Sequence, residues 1–105
     1  MAEWKKICQI KEIKESEPYE YDHSESKIML TKIDNDIFAT DRICTHAYAD
    51  LSMGFLNDKE RTITCPLHMS SFRLKDGVPL NLPAETPIKT YETKIEDGSI
   101  YILID

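Results

Sequence analysis

Four side chains with metal-binding chemistry fall in two short segments: Cys44 and His46 in "CTHAYADLSMGFL", Cys65 and His68 in "CPLHMSSFRLKDG". They take two of the chain's three cysteines and two of its three histidines, with eighteen residues between His46 and Cys65. Thiolate and imidazole are the soft and borderline donors that hold zinc, iron and iron–sulfur clusters. A structural zinc site prefers ligands about two to four residues apart on one knuckle, and Cys44-x-His46 departs from that spacing. Donors separated by a single loop residue point apart. They chelate one small ion poorly but can reach two metal atoms a few ångströms apart. A binuclear iron–sulfur core offers such atoms, with cysteines on one iron and histidines on the other. A zinc-bound module stays open as the competing reading. Colour separates the two, because an iron–sulfur protein is red-brown and paramagnetic when reduced.

The other residues with reactive or sticky side chains have plainer readings. Cys8 stands alone in a strand-like segment and is expected to be a small buried hydrophobe. His23 lies among acids and is expected at a solvated surface. Trp4, Tyr19 and Tyr21 are assigned to the core. Met53, Phe55 and Met69 flank the ligand segments and are expected to pack the two loops together, with docking as the alternative. Residues 12–25 carry six acids against one lysine. That pattern suits a solvated face or a patch that steers a basic partner.

Loops that hold donors this way need a rigid frame, and the chain supplies one of short strands. "EWKKICQI" and "EPYEYDH" are strand-like. "KIMLTKI" and "IFATDRI" flank Asp34-Asn35-Asp36 and predict a hairpin. "RTITC" and "SSFRLKDG" are further strands. In "IKTYETKIEDGSIYILID" two strands meet at Asp97-Gly98, a favoured hairpin turn, with Ile100, Ile102 and Ile104 on one face. Residues 11–17 offer the only candidate helix, of one or two turns. "VPLNLPAETP" holds three of the five prolines and predicts a stiff ordered loop. The expected fold is all-β: a single domain with an antiparallel sandwich or barrel base.

Charge narrows the function classes. The formal net charge of −6 disfavours nucleic acid and anionic membrane as partners. Residues 1–43 and 78–105 each carry −3, while residues 44–77 are neutral, as a docking face of low charge would be. The first residues show no apolar leader segment, and "IYILI" is too short to span a bilayer. Cytoplasm is the expected compartment, where an odd number of cysteines favours metal or redox chemistry over disulfides.

The two segments resemble the cluster loops of Rieske-type [2Fe–2S] proteins, and the similarity continues through Leu51-Ser52-x-Gly54-Phe55-Leu56, Pro66 and "GVPLNLPAETPIKTYETKIEDGSIYI". It covers essentially the whole chain. The resemblance implies a Rieske-type fold with a base at residues 1–43 and 78–105 and a small cluster-binding subdomain of two loops at about 44–77. It implies one [2Fe–2S] cluster per chain, with Cys44 and Cys65 on the inner iron and His46 and His68 on the outer. Neutral imidazoles leave such a cluster less negative than an all-cysteine one, so its potential lies higher, roughly −150 to +300 mV.

Within the family, high-potential members carry an extra cysteine in each loop, joined as a disulfide. Ala49 and Leu67 stand at those positions here. Ser70 matches a serine that bonds to a bridging sulfide, and Phe72 stands where a tyrosine would donate to a ligand sulfur. The resemblance therefore implies a potential in the lower or middle part of the range, lifted by Ser70. Met69 replaces a frequent glycine and bears on how tightly the second loop closes.

The implied function is a one-electron carrier, not an enzyme. It would accept from a flavoprotein reductase and deliver to a terminal oxygenase or other redox enzyme. A ligand-bearing small subunit of an oxygenase or nitrite reductase system is the alternative. An oxygenase active site is excluded, because only His23 remains once the cluster has taken its histidines.

Overall fold

The computed structural model describes residues 2–45 and 48–105. Among the described residues ten strands form three antiparallel sheets: β1 (Glu3–Gln9), β2 (Tyr19–His23), β3 (Ser26–Ile33), β4 (Asp36–Asp41), β5 (Phe55–Asn57), β6 (Thr62–Thr64), β7 (Ser71–Arg73), β8 (Thr90–Tyr91), β9 (Thr93–Glu96) and β10 (Ser99–Ile104). The sheet orders are β1-β10-β9, β2-β3-β4-β8 and β5-β6-β7.

The central strand explains the layering. β3 is buried on both faces, which is why "KIMLTKI" lacks a clean polar alternation. Ile28 and Leu30 pack with Cys8, Ala39, Tyr91 and the inward isoleucines of β10, Ile100, Ile102 and Ile104. Met29 and Ile33, on the opposite face, join Leu51, Ile63, Phe72 and Leu74 in a second core that also holds Cys44 and Cys65. The middle sheet thus lies between the terminal sheet and the β5-β6-β7 unit.

Both predicted hairpins form. Ile33 pairs with Asp36 across Asp34-Asn35. Ser99 pairs with Glu96 across Asp97-Gly98, whose φ angles of 50° and 76° are those the tight turn demands.

Two expectations fail. Residues 11–17 form no α-helix. A single 3-10 turn, Ile10–Glu12, follows β1, and Ile13 leaves it with extended backbone. Two turns cannot sustain themselves without tertiary support, and Ile13 is drawn instead into the core below β3. Trp4 is not core. It is 39% exposed on the edge strand β1, where Lys94 covers its ring at 4.7 Å. Tyr19 and Tyr21 do pack against the core, partly buried.

Cys8 is buried as expected, and burial pushes its thiol pKa up, which keeps it protonated and unreactive. His23 is half-buried and stacks on Tyr21. The acids of residues 12–25 are largely engaged in structure. Glu12 closes a capping box with Gln9. Glu15 accepts from the Asp34 N–H and pairs with Lys32.

Candidate metal centre

The described ends of the two ligand segments are closed by one hydrogen-bond pattern. In the first, the Cys44 N–H donates to the Ala49 carbonyl at 2.8 Å and the Tyr48 N–H to the Cys44 carbonyl at 3.0 Å. In the second, the Cys65 N–H donates to the Ser70 carbonyl at 2.8 Å and the Met69 N–H to the Cys65 carbonyl at 3.1 Å. The fourth residue after each cysteine takes a left-handed φ, 55° at Tyr48 and 59° at Met69. Met69 therefore closes its loop as tightly as the other loop closes, in a conformation glycine would adopt with less steric cost.

Gly54 links the stems of the two loops. It ends the 3-10 turn Leu51–Met53 after the first loop, and a Cβ there would run into the carbonyl oxygen of Thr64, the residue before Cys65.

Burial separates the donors. Cys44 and Cys65 lie in the same core with almost no exposure, and no disulfide joins the three buried cysteines. His68 is exposed. His46 lies outside the described residues. Among the described residues, no three His, Cys, Asp or Glu side chains gather around a single ion position.

Each loop has its own brace. Arg42, two residues before Cys44, is buried on the first. Its guanidinium meets Asp22 at 2.9 Å and Glu20 at 3.4 Å, while its Nε faces Asp50 Oδ2 at 3.2 Å without the alignment of a hydrogen bond. Asp50 also accepts from the Ser52 N–H at 2.9 Å and from its hydroxyl at 2.6 Å, capping the 3-10 turn. Arg42 thus ties β2 to the end of the first loop. Two carboxylates of the acidic stretch, Glu20 and Asp22, are engaged in doing so.

The second loop is braced by neutral groups from the proline-rich segment. The Ser71 N–H donates to Asn81 Oδ1 at 2.8 Å, and Asn81 Nδ2 donates to the Met69 carbonyl at 3.1 Å. The Ala84 N–H donates to Ser70 Oγ at 3.0 Å. The same segment reaches the first loop, where Thr45 Oγ1 donates to the Thr86 carbonyl at 2.7 Å. Neither Arg42 nor Asn81 was legible as a functional residue in the sequence. Asp50 was, in principle, since an aspartate two residues before a serine is an Asx-turn signal.

Met53, Phe55 and Met69, read as packing the loops or as docking residues, lie on the outside. They are exposed, as are Tyr48, Leu67 and Leu82. The loop backbones turn their ends outward, and the interior between them is filled by Leu51, Ile63, Phe72 and Ala84.

Residues 3–92 match the model of the Rieske [2Fe-2S] domain. The chain belongs to the Rieske [2Fe-2S] family. It is 38% identical over 98 residues to the 3-phenylpropionate/cinnamic acid dioxygenase ferredoxin subunit of Photorhabdus laumondii, covering 93% of this chain and 91% of the relative. The fold superposes on the ferredoxin of carbazole 1,9a-dioxygenase from Nocardioides aromaticivorans with a TM-score of 0.89 and 25% identity, over 94% of this chain and 95% of that one. A ferredoxin solved in complex with the oxygenase of carbazole 1,9a-dioxygenase gives 0.87 and 25%, over 94% and 91%. This Rieske protein accordingly has an all-β ferredoxin fold and carries one [2Fe–2S] cluster for electron transfer.

The residues present suit that group. Two thiols sit where water is excluded and an imidazole stands at the surface. The fully buried Ser70 Oγ accepts from Ala84, which leaves its own proton to donate.

Proposed function

We propose that Cys44 and Cys65 hold the inner iron and His46 and His68 the outer one, and that the chain passes single electrons from a flavoprotein reductase to a terminal oxygenase. The observation that carries this reading is the twin loop, with its cysteines buried in one core and His68 exposed at the loop end. When bound, a cluster with neutral imidazole ligands supplies a one-electron couple at higher potential than all-cysteine clusters.

The protein's own groups do the rest. Leu51, Ile63 and Phe72 exclude water from the sulfur side. Ser70 Oγ accepts from the Ala84 N–H and keeps its own proton, whose donation to cluster sulfur would favour the more negative, reduced state. The exposed His68 ring shortens the path to a docked protein. The acceptor is suggested by the ferredoxin–oxygenase complex of similar fold.

The division into a base, residues 1–43 and 78–105, and a cluster-binding part at about 44–77 is supported by the separate β5-β6-β7 sheet. Among the described residues no helix is long and apolar enough to cross a membrane. A cytoplasmic site of action suits three cysteines that form no disulfide.

Stopped-flow mixing tests the carrier role. The holoprotein's visible absorbance should bleach on mixing with reductase from a 3-phenylpropionate dioxygenase system and recover on addition of the oxygenase. If dithionite bleaches it but neither protein changes it, the proposed role is wrong.

A further inference from the structure

We propose that Arg42 sets the cluster's reduction potential: its buried positive charge holds the potential up, because the carboxylates that balance it lie toward solvent. The proposal rests on the four-ligand reading above and adds a residue that acts on the cluster through space. Among the described residues, Arg42 is the one buried side chain that carries a charge. Its place is fixed from both sides of the first loop. The Arg42 N–H donates to the Lys27 carbonyl at 2.8 Å, and its carbonyl accepts from the Leu51 N–H at 2.6 Å. Above it, Ile43 bridges to Asp50 and the Cys44 N–H reaches the Ala49 carbonyl. Arg42 and Cys44 stand two residues apart, at most about 7 Å along the chain. Both are buried, while Ile43 between them is half-buried.

The charges around this residue differ sharply in their contact with water. The Arg42 side chain is 5% exposed, whereas Glu20 and Asp22 are each 57% exposed and Asp50 33%. Lys27, also exposed, shares Asp22 at 3.8 Å. On its inner side, Arg42 Nη1 reaches the Ile28 carbonyl at 3.4 Å. Ile28 precedes Met29, which belongs to the same core as Cys44 and Cys65. Water screens the charges it reaches, so the three carboxylates act weakly on the interior. A charge without water around it acts through a lower dielectric. The sulfur side therefore experiences the cation more than its counter-charges, although carboxylates outnumber it three to one.

Charge then translates into potential. An added electron makes a cluster one unit more negative, and the potentials of such clusters follow the net charge around them. A fixed positive charge on the sulfur side favours the reduced form. A unit charge roughly 10 Å away, across an effective dielectric of about 20, moves a one-electron equilibrium by about tenfold. The second loop has no counterpart, since its braces Asn81 and Ser70 are neutral.

Potentiometric titration of the holoprotein separates the charge of Arg42 from its shape. Arg42→Gln removes the charge, and Arg42→Lys keeps it without the guanidinium fork. At a fixed applied potential, the ratio of reduced to oxidised protein should fall about tenfold in Arg42→Gln, a downward shift of about 59 mV for one electron. Arg42→Lys should stay within about twofold of the unsubstituted protein. Both variants lose the fork that joins β2 to the first loop, so a merely structural role would move their potentials together. Asp22→Asn deletes an exposed counter-charge and keeps Arg42, and it should raise the ratio by only about twofold. An unchanged potential in Arg42→Gln, equal falls in the two Arg42 variants, or a tenfold rise in Asp22→Asn would overturn the proposal. Should Arg42→Gln bind no cluster, the other two variants decide: small shifts in both support the proposal, and a tenfold shift in either defeats it. Failure of the four-ligand reading looks different, because the unsubstituted protein would then lack iron and acid-labile sulfide before any variant is compared.

Discussion

The loops at Cys44 and Cys65 share, in their described residues, one closing hydrogen-bond pattern and have opposite braces. Each is closed by the same pair of main-chain hydrogen bonds and the same left-handed fourth residue. The first is anchored by a buried guanidinium among three carboxylates, the second by one side-chain amide and a buried hydroxyl. The shared turn sets where a cysteine and the residues after it stand. The braces decide how rigidly each loop is held and what its surroundings do to electrons. A charged brace suits the first loop because it joins that loop to β2 through ion pairs at the edge of solvent. A neutral brace suits the second because Ser70 at its end can donate a proton inward without bringing a charge.

The largest expected effect breaks both loops at once. Gly54→Ala drives a methyl group into the Thr64 carbonyl and must displace either the first loop's 3-10 turn or the stem of the second. Denaturant unfolding should show a loss of about 3 kcal/mol, with a reduced iron content in purified protein.

The next test separates the braces. Arg42→Leu removes hydrogen bonds to charged groups and should cost about 2–3 kcal/mol, whereas Asn81→Ala should cost about 1–2 kcal/mol. Arg42 and Asn81 share no partner, so the double variant should lose close to the sum of the two. A strongly non-additive double variant in the same unfolding assay would mean the two loops are not independently held.

A third change makes the loops more alike. Ser70 occupies the place in its loop that Ala49 occupies in the other. Ser70→Ala should lower the reduction potential by roughly 40 mV, the equivalent of about 1 kcal/mol for one electron. Potentiometric titration reads the shift. An unchanged potential would mean the hydroxyl proton is not directed at the cluster.

The smallest effect tests the shared turn. Tyr48→Gly and Met69→Gly each relieve a left-handed φ and add chain entropy to the unfolded state, so each should stabilise by only about 0.5 kcal/mol. The two gains should be equal in thermal unfolding. A gain confined to one loop would show that the turns are alike in shape but not in strain.

Much of this was visible in the residues themselves. The Asp97-Gly98 hairpin and the β10 isoleucine face are local signals, and each turned out as read. What escaped was long-range. Trp4 looked like core because large aromatics usually are, yet its strand lies at a sheet edge and Lys94 covers the ring from another strand. Residues 11–17 carried helical spacing, but the core below β3 claimed Ile13. Met53, Phe55 and Met69 were read as packing the loops or as docking residues, and only the structure shows that they face out. Arg42 gave no sign in "ATDRI", since its three carboxylates come from β2 and from beyond the first loop. The twin loop itself was hidden, because Cys44-x-His46 and Cys65-x-x-His68 differ in spacing and the shared hydrogen-bond pattern lies in the backbone.

The assignment of four ligands to one bridged pair of irons is tested most directly by iron and acid-labile sulfide analysis of anaerobically purified protein beside its His68→Ala variant. The account predicts equal iron and sulfide in the first, with a reduced-state paramagnetic signal, and a substantial loss of both in the second. Protein that holds zinc and no labile sulfide, or a variant that retains its full complement and an unchanged signal, would contradict it.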